Sequence, residues 1–540
     1  MGLPTAVADA AAAAAVAAAG SSSGSGSSKF ALDVNYSIAQ GRLESCEERV
    51  VFRTPNLDVD INSINLVLIS NSDTMLGLPF LTEYMGYKGK IVAVEPAIEF
   101  ARHRMEELVA YYGRSESGSG IHPEMASHFS QLGGMADKCT LDGWRSIYTL
   151  TDIDAALKKV QPVRYGEQLS LFNVIQYEAR KSGMSLGSAN WLLQTVNSKI
   201  VLVNASSALR DRHPAPIDFD IMDNADVVLV SGAQMSNPSD RGDAYTTSIK
   251  KVLAKTAHTL HMGGNVLLPI STMNAVFDWL PRLSKHLDSI DTPRPIYLLG
   301  VSASKSIKYG NISGEWMTQV QHERMFASEK PLEIVDGATV HVFNDLAALS
   351  RIELRHPCVV IAGDSLCFGK GPLAWCLQHL YNPSRPNNCI IITDPATTPA
   401  GVENGPTHHW EFCFAPIDAR MTLTAVVRWI LSHDSKPNQR IILPKNGVAD
   451  QLLEQWTDVL SGKKMHQYDY GSPTRIPLDE KYVDIHISQE MERLLRPLPD
   501  ERVFGQYVCD FDGVLVAHDN RYELRPITKS SESRRLIPKE

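Results

Sequence analysis

Several short stretches place reactive side chains at spacings that chemistry uses. Val508-Cys-Asp-Phe-Asp-Gly-Val-Leu515 sets two carboxylates on either side of one residue, ahead of a glycine. This is the spelling of an aspartate nucleophile in phosphatases that pass through an aspartyl phosphate. That chemistry needs a strand ending at the first aspartate and a large α/β core downstream, and 25 residues follow Leu515 here. Without that context an Asp-Gly β-turn between strands at 504–509 and 514–517 is the better expectation. His258 and His261 have the i, i+3 spacing of two ligands on one helix face. Histidines just before Gly263-Gly264 more commonly complement the negative end of a helix dipole. His408 and His409 are adjacent, would point apart, and read as a loop pair. Arg241-Gly-Asp243 spells an adhesion tripeptide in a chain with no secretion signal.

The elements that could position a site are clearest between 66 and 112. Leu66-Val-Leu-Ile-Ser70 is a continuous apolar run, the pattern of a strand covered on both faces. A polar turn follows, with Ser72 or Asp73 placed to cap a helix running towards Gly86. Residues 90–94 form a second apolar run and 97–112 a long helix. Strand, polar turn and helix is the arrangement at which α/β proteins build their sites.

Composition narrows the possibilities. The chain has 540 residues, room for two or three domains with sizeable cores. A formal net charge of −9 does not describe a broad basic surface for nucleic acid. Eight cysteines are scattered without a C-x-x-C pair, which makes a reduced setting the default. Outside the alanine tract there is no run of about twenty apolar residues of the kind that spans a bilayer. Residues 1–28 are alanine, serine and glycine with no Lys or Arg, which argues against a targeting peptide and predicts a disordered leader.

Further along, 113–138 reads as a surface loop. A helix is expected from Thr151, taken as its capping residue, followed by strands at 169–176, 191–196 and 199–203 in a meander. Another buried strand at 226–230 is followed to about 409 by regular alternation: strands at 263–269, 295–299, 356–362 and 388–392, and helices at 273–287, 304–317 and 372–379. Such alternation implies a parallel sheet with right-handed crossovers. Residues 410–414, 421–432 and 440–444 then read as strand, helix, strand.

The order Leu68-Ile-Ser70, polar cluster, Gly77-Leu-Pro79, second strand and long helix resembles the metallo-β-lactamase domain of RNA-processing nucleases that carry a β-CASP insertion. The resemblance implies an α/β fold: a metallo-β-lactamase αββα sandwich interrupted by a β-CASP α/β insertion, plus a small C-terminal β region. The expected divisions are a leader at 1–28, a first lactamase-like segment at 29–231 with its opening strands unclear, the insertion at 232–409, a second lactamase-like segment at 410–447, and a C-terminal helix and β region with a polar tail at 448–540.

Active members of that family hold two zinc ions with imidazoles and carboxylates at the strand ends. Asn71 and Asp73 stand where the leading histidines would be. Met184, in Gly183-Met-Ser-Leu-Gly187, replaces another histidine, and Ala205, in Leu202-Val-Asn-Ala-Ser-Ser207, replaces the bridging aspartate. Ser231, Ile417 and Pro444 replace a glutamate and two further histidines. The resemblance therefore implies no metal, no cofactor and no catalytic residue, hence a pseudoenzyme.

The wording of Ser70-Asn71, Thr82-Glu-Tyr-Met-Gly-Tyr-Lys-Gly89 and Met105-Glu-Glu-Leu-Val109 is similar to inactive members of the Integrator type. Those pair with a catalytic homologue for small nuclear RNA 3′-end processing and transcription attenuation in the nucleus, and meet RNA only through the complex. The alternative is the inactive subunit of the messenger-RNA cleavage and polyadenylation specificity factor. A third reading, an active hydrolase, would have to recruit Asp73, Asp211 and His213. Measured against the family, the opening strands are expected to be either missing or diverged past recognition, and a C-terminal dimerisation domain is expected to be absent.

Overall fold

A computed structural model describes residues 36–39, 42–45, 52–53, 60–112, 144–145, 147–195, 198–235, 244–289, 294–332, 334, 339–345, 354–363, 371–380, 387–395, 410–432, 439–445, 449–450, 464–469, 485–496, 498–499, 507–508, 513–518 and 521–527. The expected leader, the 113–138 loop, Arg241-Gly-Asp243, His408, His409, Asp510, Asp512 and the tail at 529–535 lie outside these residues.

Short paired strands open the chain, where the sequence pattern is weak and offers one candidate strand at 49–53. Strands β1 (Tyr36–Ala39) and β2 (Arg42–Ser45) form an antiparallel hairpin, and β3 (Phe52–Arg53) pairs with a later two-residue strand. The apolar runs then form a parallel sheet. Strand β4 (Leu66–Leu68) lies beside β5 (Lys90–Val94), helix α1 (Glu95–Tyr112) follows, and β6 (Trp144–Arg145) is the partner of β3. Helix α2 (Leu150–Leu157) leads to β7 (Val160–Val163), which completes the β4-β5-β7 sheet.

Two expected helix starts are corrected. Helix α2 is capped by Thr149 rather than Thr151, in a reciprocal box where Thr149 Oγ1 accepts from Asp152 N–H at 3.2 Å and Asp152 Oδ2 accepts from Thr149 N–H at 2.9 Å. After β4, Asp73 holds the N-cap position of the turn Thr74–Gly77 but its side chain makes no capping hydrogen bond, and Ser72 is not the cap. Asn71 Oδ1 accepts the Thr74 N–H at 2.9 Å, while Thr74 Oγ1 accepts the Asn71 N–H at 3.2 Å and donates back to the Asn71 carbonyl at 2.8 Å.

The second sheet contains β8 (Gln168–Leu171), β9 (Ile175–Lys181), β10 (Ala189–Gln194), β11 (Lys199–Val203) and β12 (Val227–Val230). Residues 169–176, expected as one strand, turn back on themselves. Phe172 and Asn173 both take positive φ, 53° and 57°, the geometry of a tight turn that matches strand twist. Strands β8 to β11 are an antiparallel meander, and β12 joins parallel to β11.

Between β12 and the return to this sheet lies an α/β unit. Its elements are α3 (Ala244–His261), β13 (Val266–Leu268), α4 (Ala275–Asp288), β14 (Ile296–Leu299), α5 (Ala303–Ile312), α6 (Gln319–Phe326), β15 (Val340–Phe343), β16 (Val359–Ala362), α7 (Gly371–His379), β17 (Cys389–Ile392) and β18 (Glu411–Phe414). The six strands are all parallel, in the order β15-β14-β16-β13-β17-β18. Side chains on one face of this sheet pack under α7, and those on the other join the core with α3 and α4. His258 and His261 fall in the last turn of α3, as the dipole argument expects.

Strand β18 corrects the boundary drawn at 409/410, because it pairs with β17 in the parallel sheet. The Ile417 N–H still donates to Thr393 O at 2.8 Å, and only Met421, whose N–H donates to Ser206 O at 2.7 Å, is back on the other unit.

Helix α8 (Leu423–Ser432) then leads to β19 (Arg440–Pro444) and β20 (Lys464–Tyr468), which extend the second sheet to the order β20-β19-β12-β11-β10-β9-β8. Residues 440–443 thus sit in the sheet that faces β4, not in the sheet of β4. The two sheets share one core, with Leu66, Leu68, Val92 and Val94 packed in the same cluster as Trp191, Leu202, Leu229 and Ile442. Met105, Leu108, Ile153 and Leu157 of α1 and α2 cover the outside of the small sheet. Leu423, Val427 and Ile430 of α8 cover the outside of the large one. This is the αββα sandwich.

Last come β21 (Ile485–Ile487), α9 (Gln489–Glu492), β22 (Leu498–Pro499), β23 (Tyr507–Val508), β24 (Gly513–His518) and β25 (Arg521–Pro526). The expected pairing of 504–509 with 514–517 is not the one formed. Strand β23 pairs with β22, and β24 makes its hairpin with β25.

Candidate functional site at the strand ends

The carboxyl ends of β4, β11, β12 and β19 and the loop from β9 to β10 carry most of the positions where the family keeps its ligands. Backbone hydrogen bonds tie several of these segments together. Ala189 N–H donates to Ser70 O at 2.7 Å, Ser207 N–H to Ser182 O at 2.8 Å and Ser231 N–H to Val203 O at 2.7 Å. Gly232, with φ +72°, lies so close to Ala205 that a Cβ would stand 2.8 Å from its amide nitrogen. Ala205 and Ser231 are therefore neighbours. Met184 is half-buried in the turn beside Gly183, which touches Ser207. Pro444 ends β19, next to β12, and is buried. Ile417 lies beyond β18, on the parallel-sheet side, where it packs against the shared core. Asn71 is buried and committed to Thr74, and Asp73 is exposed at the start of the turn.

What fills these strand ends is a neutral network. Asn190 Oδ1 accepts from Asn204 N–H at 2.8 Å and from Ser206 Oγ at 3.1 Å, and Asn204 Nδ2 donates to Ala189 O at 2.9 Å. Ser182 Oγ donates to Ser188 Oγ at 2.8 Å, and Ser188 Oγ donates to Ser185 O at 2.7 Å. Asn190, Asn204, Ser182, Ser188 and Ser206 are all buried. These amides and hydroxyls form a buried polar cluster without charge, in which Asn190 Oδ1 is doubly used while Asn190 Nδ2 is buried with no partner among the described residues. A two-zinc centre requires imidazole and carboxylate donors. Of the seven positions only Asp73 offers one, so this donor set does not fit the metals of the active family. Among the described residues, no group of three or more His, Cys, Asp or Glu is placed to hold a metal ion.

Asp211 and His213 lie in the segment after β11 and are engaged elsewhere. Asp278 of α4 is the hub. It accepts from His213 N–H and lies against His213 Nδ1, both at 2.8 Å, and accepts from Arg212 Nε at 3.0 Å. Burial would push its carboxyl up, but the His213 and Arg212 charges facing it and the His213 hydrogen bonds win and hold it well below the usual carboxylate range. Asp211 accepts from Arg282 Nη2 at 2.9 Å. These side chains line a cavity of about 160 Å³ with Arg324 and Gln321. Asp73, in the turn after β4, is not among its lining residues.

Sequence reasoning missed Asp278 and the Asn190–Asn204–Ser206 cluster. A lone carboxylate inside Val276-Phe-Asp-Trp-Leu280, an otherwise apolar turn, is a signal for Asp278, since a buried charge demands a partner. No comparable signal marks Asn190, whose partners lie just beyond the end of the next strand.

Residues 47–231 match the metallo-β-lactamase superfamily domain. The chain is 29% identical over 511 residues to an Integrator complex subunit 9 homolog of Nematostella vectensis, covering 92% of this chain and 75% of that protein. It is 26% identical over 512 residues to Integrator complex subunit 9 of Xenopus laevis, covering 90% and 75%. Cleavage and polyadenylation specificity factor subunit 2 of Arabidopsis thaliana is 24% identical over 264 residues, covering 48% and 32%.

Proposed function

We propose that this chain, which carries a metallo-β-lactamase superfamily domain and is similar along most of its length to Integrator complex subunit 9 proteins, is itself a non-catalytic scaffold subunit of the Integrator complex. Its partner in this reading is the complex's catalytic endonuclease, subunit 11. Its setting is the nucleus, and its work is small nuclear RNA 3′-end processing and transcription attenuation. The observation that carries the reading is the occupied strand-end site. Where a phosphodiesterase of this fold polarises a phosphate with metals, Asn190 Oδ1 accepts from the Asn204 N–H and the Ser206 hydroxyl, and Asn204 Nδ2 donates to the Ala189 carbonyl.

In such a subunit the fold serves as shape. The sandwich and the parallel sheet present fixed surfaces, and RNA is met through the complex, in keeping with the net charge of −9. The resemblance to the polyadenylation factor subunit covers about half as much of the chain, which favours Integrator. Affinity purification of the tagged chain from nuclear extract, read by mass spectrometry, tests the assignment. Integrator subunits at stoichiometric yield are expected, and recovery of polyadenylation factors instead would overturn it.

A further inference from the structure

The sandwich and the parallel-sheet unit meet along three lines of contact. On one side α1 lies across the ends of β13 and β14. Glu107 of α1 is fully buried. Its carboxylate accepts from Arg104 Nη1 at 2.8 Å and from Tyr111 Oη at 3.0 Å within α1, and reaches Thr272 Oγ1, after β13, at 3.5 Å. Gly300, after β14, is pressed so close that a Cβ there would stand 2.9 Å from Glu107 Oε1. Ser302 Oγ donates to His103 O at 3.0 Å, His103 Nδ1 lies 3.2 Å from Ser306 Oγ, and Lys305 pairs with Glu106 at 2.9 Å.

On the other side Asp278 of α4 grips Arg212 and His213 of the sandwich. Pro214 also forms an isolated bridge with Met317. Between these two lines, Asn274 reaches into the polar turn after β4. Its Nδ2 donates to Ser72 Oγ at 3.3 Å, and its backbone is held at φ +52°. A positive φ outside glycine persists only where its surroundings over-determine it. The space among the three lines is apolar and continuous with both cores. Phe100 of α1 packs on Phe277 of α4 at 5.7 Å and on Tyr309 of α5 at 5.3 Å between ring centroids.

Two units joined by a small polar contact move relative to one another by default, whereas a large apolar contact suppresses that motion. Here an apolar core supplies the attraction, and a buried ion pair on the α4 side together with buried hydrogen bonds on both sides fixes one orientation. We propose that the two units form a single closed clamp, locked at Glu107–Thr272 and at Asp278–Arg212–His213, with Asn274 seated over the strand ends, so that they part only in one concerted opening. The lock deepens the scaffold reading: a partner touching both units meets a surface already set, with no ordering cost on binding. The lock itself does not depend on any partner.

Hydrogen exchange by mass spectrometry on the full chain, under conditions where exchange follows the opening equilibrium, tests it. Ser302→Ala removes one hydrogen bond on the α1 side. It should raise exchange about fivefold both in 103–111 and, across the contact, in 205–218. Asp278→Asn, should it fold, must speed exchange in 103–111 as well as in its own neighbourhood. Acceleration confined to the segment next to each substitution overturns the lock, because it shows contacts that loosen independently. Pulldown of the catalytic subunit by the same variants keeps the two proposals apart. Loss of coupling with intact recovery removes the lock alone, and intact coupling with no recovery even by the wild type removes the scaffold reading alone.

Discussion

The indole N–H of Trp191, on the large sheet, donates to the backbone carbonyl of Ile69, on the small sheet, at 3.2 Å, with the tryptophan 1% exposed. Next to it the Ala189 N–H donates to Ser70 O. These bonds stitch the two sheets together where the strand β4 gives way to the polar turn. They satisfy carbonyls that the β4 ladder leaves over, and they hold the turn's first residues in place.

Replacing Trp191 by phenylalanine keeps an aromatic ring but leaves the Ile69 carbonyl unpaired and some of the space empty. A loss of about 2–4 kcal/mol is expected. Urea denaturation reads it as a lower midpoint at unchanged slope. A midpoint equal to the wild type would mean that the bond contributes nothing net.

Rebuilding the leading histidines should not restore a metal centre. In the double variant Asn71→His, Asp73→His, the facing positions remain Met184, Ala205, Ser231, Ile417 and Pro444. Elemental analysis is expected to find no stoichiometric zinc in the purified variant, and an RNA cleavage assay no activity. Two zinc ions per chain would refute the assignment of these positions.

Acid should weaken the protein through Asp278. The folded-state carboxyl is held below its ordinary value, burial being outweighed by His213 and Arg212. Its stabilisation is therefore complete above the ordinary carboxylate range, near about pH 4, and is lost as pH falls from there towards the folded-state value. Asp278→Asn should cost on the order of 3–5 kcal/mol at neutral pH, because it leaves buried Arg212 unpaired. It should also flatten the acid limb of a stability–pH curve. An equally steep limb in the variant would assign acid sensitivity to other groups.

Gly232 is expected to tolerate no side chain. At φ +72°, with Ala205 N 2.8 Å from the site of a Cβ, Gly232→Ala strains the backbone and pushes apart the ends of β11 and β12. The expected loss exceeds about 1 kcal/mol, seen as a lower melting temperature. A neutral result would show that the β12 end can shift at little cost.

The sequence revealed what local pattern encodes. Runs such as Lys199-Ile-Val-Leu-Val203 and Val227-Val-Leu-Val230 announce strands buried on both faces, and β11 occupies the expected residues. The turn at Phe172-Asn173 was hidden because phenylalanine rarely takes a positive φ, so no glycine marked it. Strand β15, Val-His-Val-Phe, escaped because a four-residue edge strand carries little pattern. The membership of β18 in the parallel sheet was invisible because pairing with β17 is a tertiary choice. At the candidate site the substitutions themselves were legible by position. Their replacement by the Asn190–Asn204–Ser206 network was not, since only the fold brings β10 beside β11.

The pairing of β12 with β19 aligns Val227 with Arg440, and the whole parallel-sheet unit lies between them in the chain. During synthesis the β12 edge is therefore made long before its neighbour. At about 5–20 residues per second, roughly 10–40 s separate Val230 from Arg440 at the ribosome. For that interval four apolar residues have backbone donors and acceptors on one side with nothing to pair, the condition under which nascent chains associate wrongly. Early folding of the inserted unit brings the two ends together, since Gln234 N–H and Met421 O meet at 2.9 Å at its base. The speed with which that unit folds thus sets how long the β12 edge stays open.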